Sequence, residues 1–211
     1  FGEGSVAQKR KESYGFTTDF SLQMKCSFIV SAFNRPQHLR CLLTSLAIQS
    51  ERDFEVIVTD NSSETQNAAV VNELHDSRFH HVCTTKGNCY ESANFGATLA
   101  QGEYLCFPSD DNYYVPLFLQ LMLEQKTDLI YCDMIYDPRP IMFPKIKEYR
   151  KIEVRPKLSW IDKGGFLIRC TKFLPFPWEL SLQSADGLLI DELIRRGISC
   201  AKAKGILWIH N

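Results

Sequence analysis

No stretch of this 211-residue sequence approaches the roughly 20 consecutive apolar residues that a membrane-spanning helix needs, and no signal peptide opens it. An excess of one charge is also missing. Against 25 Asp and Glu stand 24 Lys and Arg, a net charge of −1, which excludes a nucleic-acid surface held by bulk electrostatics. The eight cysteines contain no CxxC pair, so nothing reads as a zinc or dithiol motif. Most of them sit inside apolar runs, as Cys26, Cys106 and Cys132 do. They are expected to be buried small hydrophobes in a reduced compartment, with an oxidised, lumenal protein as the alternative. No GxGxxG follows the first apolar run, which argues against a dehydrogenase. Neither an internal repeat nor a low-complexity tract is present.

What is there is a chain with 45% hydrophobic residues, enough for one substantial core and a small appended lobe. Residues 1–23 lack an apolar period and read as a leader or linker. The first residue is Phe rather than Met, which points to a domain excised from a longer chain. From Cys26 onward, short apolar runs alternate with helical patterns. Strands are expected at 26–31, 54–59, 79–83, 103–107 and 128–132, with a last one at 205–210. Pro36 starts a helix whose Leu39, Leu42, Leu43 and Leu46 recur at helical spacing. Ser63 and Gln66 form a capping-box pattern before the next helix. Further helices are expected at 90–100, ended by Gly102, at 116–125 and at 186–196. The alternation fades beyond 133, where prolines 138, 140, 144 and 156 suggest loops and short strands.

Such alternation predicts an α/β protein with a largely parallel central sheet flanked by helices. Ligands bind such sheets outside the carboxyl ends of the strands. Asn34, Asp60, Asn88 and the run Asp110, Asp111, Asn112 all follow predicted strands or lie in the loops above them. They should therefore gather along one edge. Two acids and an amide at a strand end suit magnesium or manganese bridging a carboxylate to a diphosphate. The plainer reading is a helix-capping turn before Pro116.

The segments 26–35, 54–63 and 109–116, the pair Gly164 and Gly165, residues 186–197 and His210 occur in the order found in family 2 glycosyltransferases. The resemblance covers roughly residues 24–211. It implies a GT-A (Rossmann-like) fold in a single domain, with a nucleotide-binding half at 24–112 and an acceptor-binding half at 113–211. The segment Ser109 to Pro116 resembles the family's variable Asp-x-Asp signature in its Asp-Asp-Asn form. Some small bacterial members that bind a uridine or thymidine diphosphate share that form.

By the same resemblance, Ser31 and Phe33 pack on the nucleotide base, and Asp60 accepts a hydrogen bond from it. Arg35 faces the diphosphate, while Asn88 and Asn94 line the cleft. Asp111 is the metal ligand, Asp110 lies near ribose or metal, and His210 is a C-terminal ligand that suits Mn2+ better than Mg2+. Ser109 departs from the pattern, standing where many members have the first Asp. Gly164 and Gly165 allow close backbone approach to a sugar or phosphate, and Trp160 offers a stacking face. Asp186 is the catalytic base, and Ala185 stands where the family has Glu; Asp191 is secondary.

The implied activity is an inverting, metal-dependent transfer from a nucleotide-diphosphate sugar, with UDP-sugar favoured, to a saccharide or other hydroxyl acceptor. A retaining GT-A transferase and a non-catalytic nucleotide- or sugar-binding domain are the alternatives. No nucleic-acid partner is expected. The setting implied is cytoplasmic, or peripheral at a membrane face within a larger multidomain or membrane-associated synthesis complex.

Overall fold

The computed structural model of the chain describes residues 24–63, 65–84, 87–137, 148–157, 160–174, 177–178 and 185–210. The expected leader (1–23) and much of the proline-rich stretch (138–147 and 158–159) lie outside the described residues.

Four strands, β1 (Met24–Ala32), β2 (Phe54–Asp60), β3 (Phe79–Cys83) and β4 (Gly102–Cys106), pair in parallel in the order β3-β2-β1-β4. Every residue of β2 is buried, as expected of a central parallel strand covered on both faces. Alternate side chains serve two cores. Phe28, Val30, Val56 and Val58 pack on one face with helix α1 (Pro36–Ala47), through its buried Leu39, Leu42, Leu43 and Leu46. Ile29 and Ile57 face the other core, with Ala93 and Ala97 of α3 (Cys89–Leu99). Each of the four leucines contributes about 1.5–3 kcal/mol by leaving water.

Helix α2 (Gln66–Glu73) begins after Thr65 with no side-chain cap, so the expected Ser63 capping box is not formed. The box stands at α3 instead. Asn88 accepts from the backbone N–H groups of Tyr90 and Glu91, and Glu91 accepts from the Asn88 N–H. Gly102 does not end that helix, which stops at Leu99; Gly102 opens β4. A Cβ there would lie 2.4 Å from the Ser27 backbone nitrogen, so the position needs glycine for close strand packing.

In the second half the sheet is mixed. It continues from β4 through β8 (Phe166–Arg169), β6 (Leu129–Tyr136) and β9 (Cys200–His210) to β5 (Asn112–Tyr114), while β7 (Arg150–Ile152) pairs with β6. The β4–β8, β8–β6, β6–β7 and β5–β9 ladders are antiparallel, and only β6–β9 is parallel here. "Largely parallel" therefore holds for the N-terminal half. The physical reason is local: among the described residues the only helical element between β6 and β8 is a one-turn 3-10 segment, and antiparallel pairs need no helical crossover; α4 (Phe118–Leu123) is shorter than the 116–125 expected. Helices α5 (Cys170–Phe173) and α6 (Ala185–Arg195) complete the described elements.

All eight cysteines are free thiols; Cys26, Cys106, Cys132 and Cys170 are buried, while Cys41, Cys83, Cys89 and Cys200 are exposed. The expectation of mostly buried cysteines is thus met by half of them. Among the described residues, no helix is long and apolar enough to cross a membrane.

Candidate active site

The ends of β1, β2 and β4 lie side by side. An isolated bridge from Ser31, near the end of β1, to Ser109 ties that strand to the acidic loop after β4. In that acidic loop Asp110 and Asp111 are 5% and 7% exposed, and Asn112 is fully buried. Arg35 reaches both acids: Nη1 donates to Asp110 Oδ1 at 2.7 Å and Nη2 to Asp111 Oδ2 at 3.0 Å. Burial pushes the Asp110 carboxyl up to about 6; Arg35 opposes this, the Asp111 charge adds to it, and the Phe33 backbone N–H donates to it.

Asn112 stands opposite His210 in the β5–β9 ladder. Its oxygen accepts from the Ser109 N–H at 2.9 Å, leaving its amide nitrogen as donor. That nitrogen lies 3.1 Å from His210 Nδ1 and 3.5 Å from Asp111 Oδ1. Asp111 and His210, 99 residues apart in sequence by their numbers, thus flank one amide group. Tyr136 stacks on the His210 ring at 5.5 Å.

Asp186 sits in the first turn of α6 with both oxygens engaged. Oδ1 accepts from the Tyr90 hydroxyl and Oδ2 from the Lys163 backbone N–H, each at 3.1 Å. Burial raises its carboxyl above the ordinary value and the charge of Asp162 raises it further, while Lys163 and the Tyr90 hydroxyl oppose this. Burial, then the Asp186 charge, push the Tyr90 phenol well up, so its proton stays on. Lys163 is 7% exposed, and its ammonium lies 5.7 Å from the Tyr90 ring centre. Its charge opposes the rise in both the Asp110 and the Asp186 carboxyls. Tyr90 and Lys163 were missed in the sequence; Lys163 ahead of the double glycine was the available signal.

Gly164 and Gly165 belong to a 3-10 turn, Lys163–Gly165, capped by the Asp162 carboxylate. A Cβ on Gly164 would lie 2.5 Å from Asn112 Oδ1, and one on Gly165 2.7 Å from the Trp208 ring. The close approach they permit in this structure is to the protein's own Asn112 and Trp208.

At the far end, Ser31, Phe33, Asn61 and Ser92 help line a cleft of about 260 Å3. Phe33 is 59% exposed there, and Ser31 donates to the Cys89 carbonyl at 2.9 Å. Asp60, the last residue of β2 and the neighbour of Asn61 in sequence, is 3% exposed. Burial would raise its carboxyl, but hydrogen bonds from His81, Ser62 and Asn67 outweigh it and hold it at about 2. Asn88 is primarily a helix cap. Asn94 is tied through both side-chain polar atoms to the Trp178 backbone. Trp160 is exposed, with Arg155 and Lys157 over its ring at 5.0 and 5.3 Å.

Residues 27–175, which carry most of these groups, match the family model "Glycosyl transferase family 2". The chain belongs to that family. A UDP-Glc:alpha-D-GlcNAc-diphosphoundecaprenol beta-1,3-glucosyltransferase, WfaP, of Escherichia coli is 28% identical over 92 residues, 42% of this chain and 36% of the relative. An uncharacterized glycosyltransferase of Haemophilus influenzae is 30% identical over 113 residues, 53% of this chain and 38% of the relative. The matched regions thus span little more than a third of these curated relatives. Among solved structures, S. aureus TarS 1-349 superposes with a TM-score of 0.71 at 18% identity, over 89% of this chain and 60% of that one. The mannosyltransferase PcManGT from Pyrobaculum calidifontis, in complex with GDP-Man and Mn2+, gives 0.71 at 13% identity, over 96% and 62%. These likenesses show the GT-A fold.

Family 2 membership raises the question of a divalent cation, and the donor set bears on it. Among the described residues, no group of three His, Cys, Asp or Glu side chains comes together as a metal cage. Asp111 Oδ1 and His210 Nδ1 nevertheless approach one atom, the Asn112 amide nitrogen, at 3.5 and 3.1 Å, so the last strand brings an imidazole to the acidic loop. A carboxylate and an imidazole are donor types that suit a cation completing its shell with phosphate oxygens and water.

Proposed function

We propose that this family 2 domain transfers a sugar, with inversion and with the help of a divalent cation, from a nucleoside-diphosphate sugar to an acceptor hydroxyl. What supports the reading above all is that Arg35, the acidic loop and His210 of the last strand meet in one hydrogen-bonded cluster, in a chain whose residues 27–175 match the family model. Ser31 and Phe33 would border the base, and Asp60 would stiffen that end. Arg35 and Asp110 would face the diphosphate and ribose, with Gly164 and Gly165 shaping the floor. Asp111 and His210 would hold Mn2+ or Mg2+, which when bound neutralises charge on the departing diphosphate.

In the transfer, an Asp186 oxygen takes the proton of the acceptor hydroxyl as that oxygen bonds to the anomeric carbon. The bond from that carbon to the diphosphate oxygen breaks on the opposite face, and its electron pair leaves with the diphosphate. The raised basicity of Asp186 serves this role, since burial makes its carboxylate a better proton acceptor. The two donors on its oxygens fix its direction.

UDP-sugars are the favoured donors, because WfaP is named for UDP-Glc and TarS has been solved with UDP-GlcNAc. GDP-sugars are the competing class, given GDP-Man on PcManGT. The undecaprenol-linked acceptor in WfaP's name supports an acceptor carried at a membrane face. Donor hydrolysis measured with and without Mn2+, for the parent chain and Asp186→Asn, tests the core of the proposal. Loss of turnover with retained nucleotide binding is expected; an Asp186→Asn protein as fast as the parent refutes the assignment of the base.

A further inference from the structure

Adjacent buried carboxylates repel each other and need a counter-charge. Arg35 supplies it with a single guanidinium, one terminal nitrogen on each of Asp110 and Asp111. Such a planar fork usually grips one carboxylate with both nitrogens, and here it is split across two residues. The local chain aims it there. Arg35 is the N-cap residue of α1, yet its side chain makes no capping bond. Asn34 before it is in the left-handed region at φ 51°, with its N–H donated to Ser62 Oγ at 2.8 Å.

A dication seated on Asp111 and His210 would meet this guanidinium on the same carboxylate, like charge against like charge. The donor's diphosphate, by contrast, offers a guanidinium the bidentate oxygens it lacks in the free protein. We propose that Arg35 and the cation exchange places. Arg35 neutralises Asp110 and Asp111 in the free protein, then swings onto the diphosphate when cation and donor enter together. This rests on the cation-dependent reading above and adds a coupling to it. A cation arriving alone must displace Arg35 from Asp111, whereas a cation arriving with diphosphate gives it a new partner. Each ligand therefore tightens the other by the same factor.

The test is calorimetric titration of Mn2+ into the chain, with and without UDP as the probe nucleotide. For the parent protein, Mn2+ alone is expected to bind weakly, and UDP to tighten it at least about tenfold, within the usual range of such couplings. Arg35→Met is expected to bind Mn2+ alone about fivefold or more tightly than the parent, with the UDP coupling reduced by a similar factor. Arg35→Lys keeps the charge but not the fork, so it should fall between. It also carries the test if Arg35→Met does not fold. Asp111→Asn should abolish Mn2+ binding in either background. If Arg35→Met binds Mn2+ no better than the parent while Asp111→Asn still abolishes binding, the exchange is overturned and the cation site stands. If no protein binds Mn2+ with or without UDP, the exchange and the cation-dependent reading fall together.

Discussion

Replacing Tyr90 by Phe removes one hydrogen bond from the proposed base and leaves the ring in place. The ring packs 5.9 Å from Trp178 and 5.7 Å from the Lys163 ammonium, contacts that Phe retains. The lost bond, 3.1 Å from the Tyr90 hydroxyl to Asp186 Oδ1, stabilises the ionised carboxylate and so holds its affinity for protons down. A hydrogen bond to a charged group is worth about 1.5 kcal/mol at the low end. At 1.36 kcal/mol per pH unit, its removal raises the acid limb of turnover by about one pH unit. The sign follows from the mechanism. Asp186 must be ionised to accept a proton, so activity fades as pH falls through its raised value, and the variant fades sooner. Initial rates of donor turnover from about pH 4 to 9 would show this, with the plateau within a few-fold of the parent. An unmoved acid limb with an unmoved plateau would refute either the base or its partner. A collapsed plateau with the limb unmoved would place Tyr90 on the reacting groups themselves.

Gly165→Ala should destabilise the fold by about 1–3 kcal/mol in urea denaturation, because its Cβ would meet the Trp208 ring at 2.7 Å. Asp60, held at about 2 against an ordinary value of 3.8, should contribute about 2 kcal/mol of stability above roughly pH 4. That contribution should be lost as the pH falls through about 2, and Asp60→Asn should show a flatter stability profile over that interval. Asn88→Ala should cost about 1 kcal/mol through the lost cap of α3, read as a lower melting temperature; an unchanged value would mean that the cap carries no weight.

The parts legible in the sequence are those written in periodicity. The leucines of α1 and the continuous apolar run of β2 announced a helix and a doubly covered strand, and both are present. The order of loops placed Asp60, Asp110 and Asp111 at strand ends, where they are found. Partners across the fold were not legible. Nothing in the spacing of Arg35 from Asp110 says that they touch, since that contact is made by loops 75 residues apart. Ser63 looked like a cap and is not one, while Asn88, expected at the cleft, also caps a helix between the cleft-lining Gly87 and Cys89. Both motifs fit locally, and tertiary contacts decided between them: Ser62 and Asn67 are drawn into the network around Asp60. The mixed second half of the sheet escaped for a related reason. Return loops carry no period, so strand direction there is fixed only by packing.

The union of Asn112 with His210 gives the molecule an order of completion. Strands β1 to β4 can assemble as soon as the first hundred or so residues exist, since their pairing partners are near in sequence. The imidazole beside the acidic loop arrives only with the final strand, 98 residues after the asparagine that receives it. If the proposed assignments hold, a chain ending before β9 would keep the proposed nucleotide end yet lack His210, one of the two side chains assigned to the cation. On the proposed reading, cation-assisted turnover would await the pairing of β9 with β5.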